Sequence, residues 1–259
     1  MTNSEDLILA DLSDRILTIR INRPAKKNAL TLSMYQGMSA ALRQASADDG
    51  VRVVLITGGA ECFTAGNDLK DFLDNPPTSP DSPVVQFLLA LRSFAKPLVA
   101  AVCGPAVGIG TTLLLHCDLA YAGANARFHL PFVDLGLVPE AGSSLLLPQL
   151  LGQRKAAQLL MLAEPFGADQ ALDYGFVNGV CAPEEVEGLA RSKAMILAAK
   201  APAALRLTKK LMKQAQADLV AATMDAELRV FGEQLQGLEA AEALQAFFEK
   251  RKPDFSRMA

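Results

Sequence analysis

Two glycine-containing turns in this chain could present backbone donors to a ligand. Ala65-Gly66-Asn67-Asp68-Leu69 comes after the apolar run Val51 to Thr57. Gly104-Pro105-Ala106-Val107-Gly108-Ile109-Gly110 comes after a second apolar run, Leu98 to Cys103. Glycine between a strand and a helix lets the main chain approach a ligand closely and leaves N–H groups pointing outward. Such donors suit an oxygen that acquires negative charge. Either turn alone is better explained as an ordinary connection. Neither is a phosphate loop, because no Gly-Lys-Ser/Thr follows, and Gly108-Ile109-Gly110 lacks the third glycine of a dinucleotide fingerprint.

Among side chains, Glu140 has two readings. In Leu137-Val138-Pro139-Glu140-Ala141-Gly142-Ser143-Ser144 it is either a proton-transfer group or a glutamate at a helix start, favoured by the macrodipole. Asp134 reads as a turn or cap residue, and Asp68 as one that orients its loop. His116 sits on an apolar helix and reads as a core or interface histidine, while His129 is a candidate pocket wall. Ser143 and Ser144 read as caps of the following helix, since no G-x-S-x-G elbow of a serine hydrolase surrounds them. Cys62, Cys103, Cys117 and Cys181 make no Cys-x-x-Cys pair, and only His116 and His129 could join them, so no zinc site is expected.

The elements that must position these residues follow from periodicity. Leu7 to Ile21 reads as a hairpin broken at Asp11 to Asp14, and Thr31 to Ala47 as a helix with Met34, Met38, Leu42 and Ala45 on one face. Val51 to Thr57 and Leu98 to Cys103 are continuous apolar runs, the pattern of strands covered on both faces. Asn75 to Pro83 holds four prolines and reads as a loop. Val84 to Phe94 and Gly108 to His116 read as helices, and Leu119 to Ala122 as the next strand. Strands alternate with helices up to about Leu151, which predicts an α/β class with partly parallel sheets. From Gly152 onward the chain reads as helical throughout.

The bulk numbers exclude several partners. With 25 basic and 28 acidic residues the net charge is −3, which offers no reason to expect nucleic acid or a membrane surface. A local basic patch could still serve an anionic ligand. At 51% hydrophobic, the 259 residues suffice for one sizeable core. Met1 to Ile8 carries Glu5 and Asp6 and resembles neither a secretory nor a mitochondrial leader, and Ser256 to Ala259 is not a peroxisomal Ser-Lys-Leu address. Free thiols in apolar surroundings agree with a reducing compartment, and the expectation is the cytoplasm.

Taken together, the two turns resemble the paired oxyanion-hole segments of the enoyl-CoA hydratase/isomerase (crotonase) family. Asn28-Ala29-Leu30, Val54-Leu55-Ile56-Thr57-Gly58, Lys96-Pro97, Cys117-Asp118-Leu119-Ala120 and the stretch Phe247 to Phe255 extend the likeness over nearly the whole chain. The resemblance implies a crotonase-like spiral of ββα units over residues 1–199, with a C-terminal helical region, 200–259, used in oligomer assembly. It implies a homotrimer, or a hexamer made as a dimer of trimers. The implied substrate is an acyl-CoA thioester, with no metal or other cofactor, coenzyme A being part of the substrate. The backbone N–H groups of Asn67 and Ile109 would hold the thioester oxygen.

Family hydratases resemble this chain around two glutamates whose positions here hold Thr112 and Phe132, so a standard hydration mechanism is not expected. Leu137 to Ser144 resembles instead the peroxisomal-type Δ3,Δ2-enoyl-CoA isomerase branch, which implies that Glu140 is the catalytic base. Its neighbours Leu137, Val138 and Leu145 to Leu147 should raise its pKa by desolvation. Ala65, Gly66, Asp68 and Leu69 would flank the adenine, and Lys26, Lys27 and Lys250 would supply charge near the phosphates. Gly108, Phe132 and Leu137 would contact the acyl part. The alternatives are an enoyl-CoA hydratase with rearranged acids and a non-catalytic acyl-CoA-binding protein.

Overall fold

The computed structural model describes residues 7–76, 79–256 and 258. The readings of residues 1–6, of 77 and 78 in the proline-rich loop, and of 257 and 259 lie outside the described residues. The chain opens with strands β1 (Ile8–Ser13) and β2 (Ile16–Ile21), joined by Asp14 and Arg15, both at positive φ. The hairpin turn therefore falls at the end of the expected polar break, Asp11 to Asp14. Ala10, Asp11 and Leu12 are all exposed, so Asp11 can sit within β1.

Helix α1 (Leu32–Ala47) follows, its first turn capped by the Thr31 hydroxyl, which accepts from the Met34 N–H. Strand β3 (Val53–Thr57), helices α2 (Leu69–Asp74) and α3 (Pro83–Ser93), and strand β4 (Leu98–Val102) come next. Strands β6 (Leu119–Gly123) and β9 (Gly179–Cys181) complete a sheet of order β1-β2-β3-β4-β6-β9 among the described residues; β1 is antiparallel to β2 and the remaining pairs are parallel.

The continuous apolar runs have the two-sided burial they predict. Leu17, Val54, Ile56 and Ala100 face one core beneath α1 and α3. Ile16, Val53, Leu55, Val99 and Ala101 face a second core closed by Val186, Ala190 and Ala194 of helix α8 (Val186–Ala198). Alternate residues thus point to opposite faces, and both faces are covered. Lys96 seals the edge of the first core, its ammonium donating to the Ala45 and Asp48 carbonyls at the end of α1.

A second, smaller sheet of order β5-β7-β8 joins Pro105–Val107, Arg127–His129 and Phe166–Gly167. These strands were not expected, and each is too short for alternation to show. The expected helix from Gly108 to His116 is split into α4 (Ile109–Thr112) and a 3-10 turn over Leu113–His116. The region after Gly152 also departs from an all-helical reading, because β8 and β9 lie within it. Its helices are α6 (Gln153–Met161), α7 (Ala168–Asp173), α8, α9 (Pro202–Gln214), α10 (Ala217–Leu235) and α11 (Leu238–Glu249), and α5 (Ser143–Leu151) precedes them. Lys209 on α9 reaches back to the core, donating to the Asp118 carboxylate and the Lys96 carbonyl.

Asn28 ties the N-terminal segment to the loop that leaves β3. It is 2% exposed, and its amide donates to the Gly58 and Cys62 carbonyls at 2.9 and 2.7 Å. Its own carbonyl accepts from the Thr64 hydroxyl at 2.7 Å. Removing a side chain that satisfies buried carbonyls costs about 1–3 kcal/mol for each group left unpaired. Asn28→Ala should therefore lose about 3 kcal/mol in urea unfolding; a loss under about 0.5 kcal/mol would show that this tie carries little.

Candidate active site

Strands β3 and β4 are parallel neighbours, so the turns leaving their C-terminal ends emerge side by side. A parallel bridge then locks the turns together at Thr64 and Ala106. The Thr64 N–H donates to the Pro105 carbonyl, and the Val107 N–H to the Thr64 carbonyl, each at 3.0 Å. Gly66 lies so close to the second turn that a Cβ there would stand 2.9 Å from the Val107 oxygen. Gly108 adopts φ +55° and ψ −117°, a conformation open to glycine, where the chain turns into α4. Asn67 and Ile109 each come three residues after a bridge partner. No acceptor among the described residues takes the backbone N–H of either one. Both residues line one cleft of about 570 Å³.

Glu140 lines the same cleft and is 8% exposed. Its backbone carbonyl accepts from the Ser143 N–H at 3.0 Å and the Ser143 hydroxyl at 2.6 Å. The next two residues, Ala141 and Gly142, are left-handed at φ +59° and +73°. The Thr112 hydroxyl donates to the Glu140 carboxyl at 3.3 Å. Burial is the main cause that pushes the Glu140 carboxyl up to about 7; negative charge on Glu227 adds to it, and the Thr112 hydrogen bond opposes both. A group balanced there exchanges a proton readily near neutral pH.

The structure sorts the remaining candidates. Lys26, Ala65, Gly66, Asp68, Leu69, Gly108, Phe132 and Leu137 line the cleft with Asn67, Ile109 and Glu140. Lys27 and Lys250 are not among its lining residues, whereas Lys70, Phe247 and Phe248 are. Asp68 orients its loop as expected: it caps α2 and pairs with Arg23 at 2.7 Å. His129 does not wall the cleft; its ring meets the Ala163 carbonyl at 2.9 Å. His116 is buried as expected, and burial drives its pKa down to about 4, so the neutral ring donates Nε2–H to the Ala141 carbonyl at 2.7 Å. Ser143 and Ser144 are not caps. Gly142 holds the cap position of α5 and offers no side chain, and Ser144 instead meets the Glu227 carboxylate.

Three contributors escaped the sequence reading. Thr112, read from the sequence only as the place of a missing acid, donates its hydroxyl to the Glu140 carboxyl. Tyr35, on the buried face of α1, donates its hydroxyl to the Asn67 side chain and so braces the first turn. Glu227 lies on α10 in register with Val220, Met224 and Phe231, at spacings of three and four. A charged residue on an apolar helical stripe is the signal that marks it. No group of three His, Cys, Asp or Glu side chains among the described residues could hold a metal ion. No helix among them is long and apolar enough to cross a membrane.

The chain is similar to known proteins along nearly its whole length. A family model described as enoyl-CoA hydratase/isomerase matches residues 11–258. The 2,3-dehydroadipyl-CoA hydratase of Escherichia coli strain K12 is 33% identical, over 96% of this chain and 98% of its own length. Enoyl-CoA delta isomerase 2 of Rattus norvegicus is 34% identical, over 95% of this chain and 64% of its own. Among solved structures, OdaA of Pseudomonas aeruginosa superposes with a TM-score of 0.92 at 50% identity, covering 94% of this chain and 99% of that one.

The raised pKa of Glu140 has a signature in stability. Between its ordinary value of 4.5 and about 7, the unfolded chain is ionised at this position while the folded chain keeps its proton. Stability from this group is therefore full below the unfolded value and is lost as pH rises through the folded one. Glu140→Gln should exceed the wild type at pH 8 by on the order of 3 kcal/mol, with the gap closing as pH falls toward the unfolded value. Urea unfolding at several pH values checks this, and a gap independent of pH would contradict it.

Proposed function

The chain belongs to the enoyl-CoA hydratase/isomerase family, and from that premise we propose that it is a Δ3,Δ2-enoyl-CoA isomerase. The observation that carries this reading is one buried carboxyl, Glu140, sharing a cleft with two unengaged backbone N–H groups, those of Asn67 and Ile109. In the proposed reaction the thioester oxygen sits on the two N–H groups. The Glu140 carboxylate removes a proton from C2 of a 3-enoyl thioester, and the electron pair delocalises over C1 to C4 as a dienolate. The same carboxyl returns the proton at C4, leaving the double bond between C2 and C3. Atoms and electrons balance without a metal or a redox cofactor.

Each preset N–H in a site that excludes water is worth about 2.7–4 kcal/mol of barrier. Backbone donors suffice here, which is why Ile109 can stand at the second turn. Thr112 and Phe132 carry no acid, and the nearby carboxylates of Asp68 and Glu227 are engaged by Arg23 and by the Gly142 and Ser144 N–H groups, which suits a proton shuttle better than the splitting of water. Lys26 and Lys70 at the cleft would meet the CoA phosphates, beside the Ala65 to Leu69 loop. Leu207, Leu211 and Met212 are exposed on α9, an apolar face that supports assembly into a trimer. Four free cysteines suit a reducing compartment such as the cytoplasm.

Hydration is the second reading, because relatives at similar identity carry both names. Incubation with 3-enoyl-CoA and with 2-enoyl-CoA separates the two: conjugation of the first is expected, and water addition to the second alone would favour the hydratase. Binding without turnover of either would favour a non-catalytic acyl-CoA-binding protein. For isomerisation, kcat/KM should rise with pH up to about 7 and then level, since the carboxylate is the active form. Glu140→Gln should lower kcat by about 10³-fold with CoA affinity retained. Near-full turnover in that variant would reject Glu140 as the base.

A further inference from the structure

Glu227 is a buried carboxylate with no place in the reaction described above. It is 7% exposed on α10, on the stripe that Val220, Met224 and Phe231 turn toward the core. A carboxylate so placed needs donors, and three converge on it. One oxygen accepts the Gly142 N–H at 2.6 Å, and the other accepts the Ser144 N–H at 2.9 Å and the Ser144 hydroxyl at 2.5 Å. These donors flank the left-handed Ala141-Gly142 turn that directly follows Glu140. His116 donates to the Ala141 carbonyl of the same turn. Two side chains thus hold the turn, one neutral and one acidic.

We propose that Glu227 is the positioning residue for Glu140: it clamps the turn that aims the base, and it sets a negative charge beside the base's carboxyl. The inference deepens the proposed function and rests on Glu140 being the base. Other charged or titratable groups face the same region. Asp225, also on α10, lines a small cavity together with Glu140, Glu227 and apolar side chains of α2 and α3. Tyr35 approaches from α1, its phenol held protonated well above the usual range, first by burial and then by Glu140. Lys26, Asp68 and Lys70 line the open cleft together with Glu140. His116 stays neutral and adds no charge. Burial remains the larger influence on Glu140, with the charge of Glu227 second.

The test is Glu227→Gln, which keeps the size and one acceptor, removes the charge, and turns an N–H toward Gly142. The kcat for a 3-enoyl-CoA should fall roughly tenfold to a hundredfold, since a misplaced base loses its approach. KM should stay within about threefold, because Glu227 touches no part of the CoA cleft. The acidic limb of the kcat–pH profile should move to lower pH by about half a unit or more, because a like charge has been removed. Glu227→Asp keeps the charge but is too short to hold both N–H groups. It should lower kcat while leaving the limb near its wild-type position, and it serves as the deciding variant if the Gln protein does not fold.

A limb unmoved in Glu227→Gln, or a kcat within about twofold of wild type in either variant, would overturn the proposal. A carbon-13 titration of the Glu140 carboxyl, in wild type and in Glu227→Gln, reads the same shift without any reaction. If the wild type isomerises no 3-enoyl-CoA, the functional reading fails on that assay, and the titration still decides whether Glu227 governs Glu140.

Discussion

Desolvation of the Glu140 carboxyl is the constraint around which the site is arranged. A buried carboxyl favours its neutral form, and its proton affinity rises toward that of a carbon acid activated by a neighbouring carbonyl. That is unfavourable for folding and useful for proton transfer. The surrounding contacts keep the group in place without lowering its affinity far. Thr112 supplies a single neutral hydrogen bond, and His116 acts on the backbone rather than on the carboxyl. No cation among the described residues makes an ion pair with Glu140.

The acceptor side of the chemistry depends on sheet topology. Parallel pairing of β3 and β4 delivers two turns to the same place, and the Thr64–Ala106 bridge aligns them. The sites that support this alignment lie outside the cleft. Asn28 satisfies the carbonyls of the β3 exit, and Tyr35 braces Asn67 from α1. Glu140 comes from a third segment, reached only after β7, and α10 of the C-terminal region returns to hold it. Four stretches far apart in sequence thus meet at one cleft, which is why changes well away from Glu140 should alter its behaviour.

Much of this was legible in the residues. The apolar runs around Val54 and Ala100 predicted strands covered on both faces, and the glycines at 66 and 108 marked the two turns. The apolar neighbours of Glu140 predicted its desolvation. What stayed hidden has common physical causes. Strands β5, β7 and β8 are two or three residues long, too short for a period of two to show. Ser143 and Ser144 looked like caps because local sequence favours that role, but Gly142 takes the cap position and a distant carboxylate supplies the acceptor. Lys27 and Lys250 carry the right charge, yet each is the positive-φ residue that ends a helical segment, the Pro24–Lys26 turn and α11, and the cleft is lined by Lys26 and Lys70 instead.

In the proposed function the cleft makes an enolate by pairing a raised-pKa acid with two backbone donors, whatever reaction follows. Hydrogen exchange at C2 of a saturated acyl-CoA in deuterated water tests that directly, because such a compound has no double bond to shift or hydrate. Deuterium should enter at C2 in the presence of the protein, and only when the carboxyl at position 140 is present. Tight binding of the compound with exchange no faster than in buffer would contradict it.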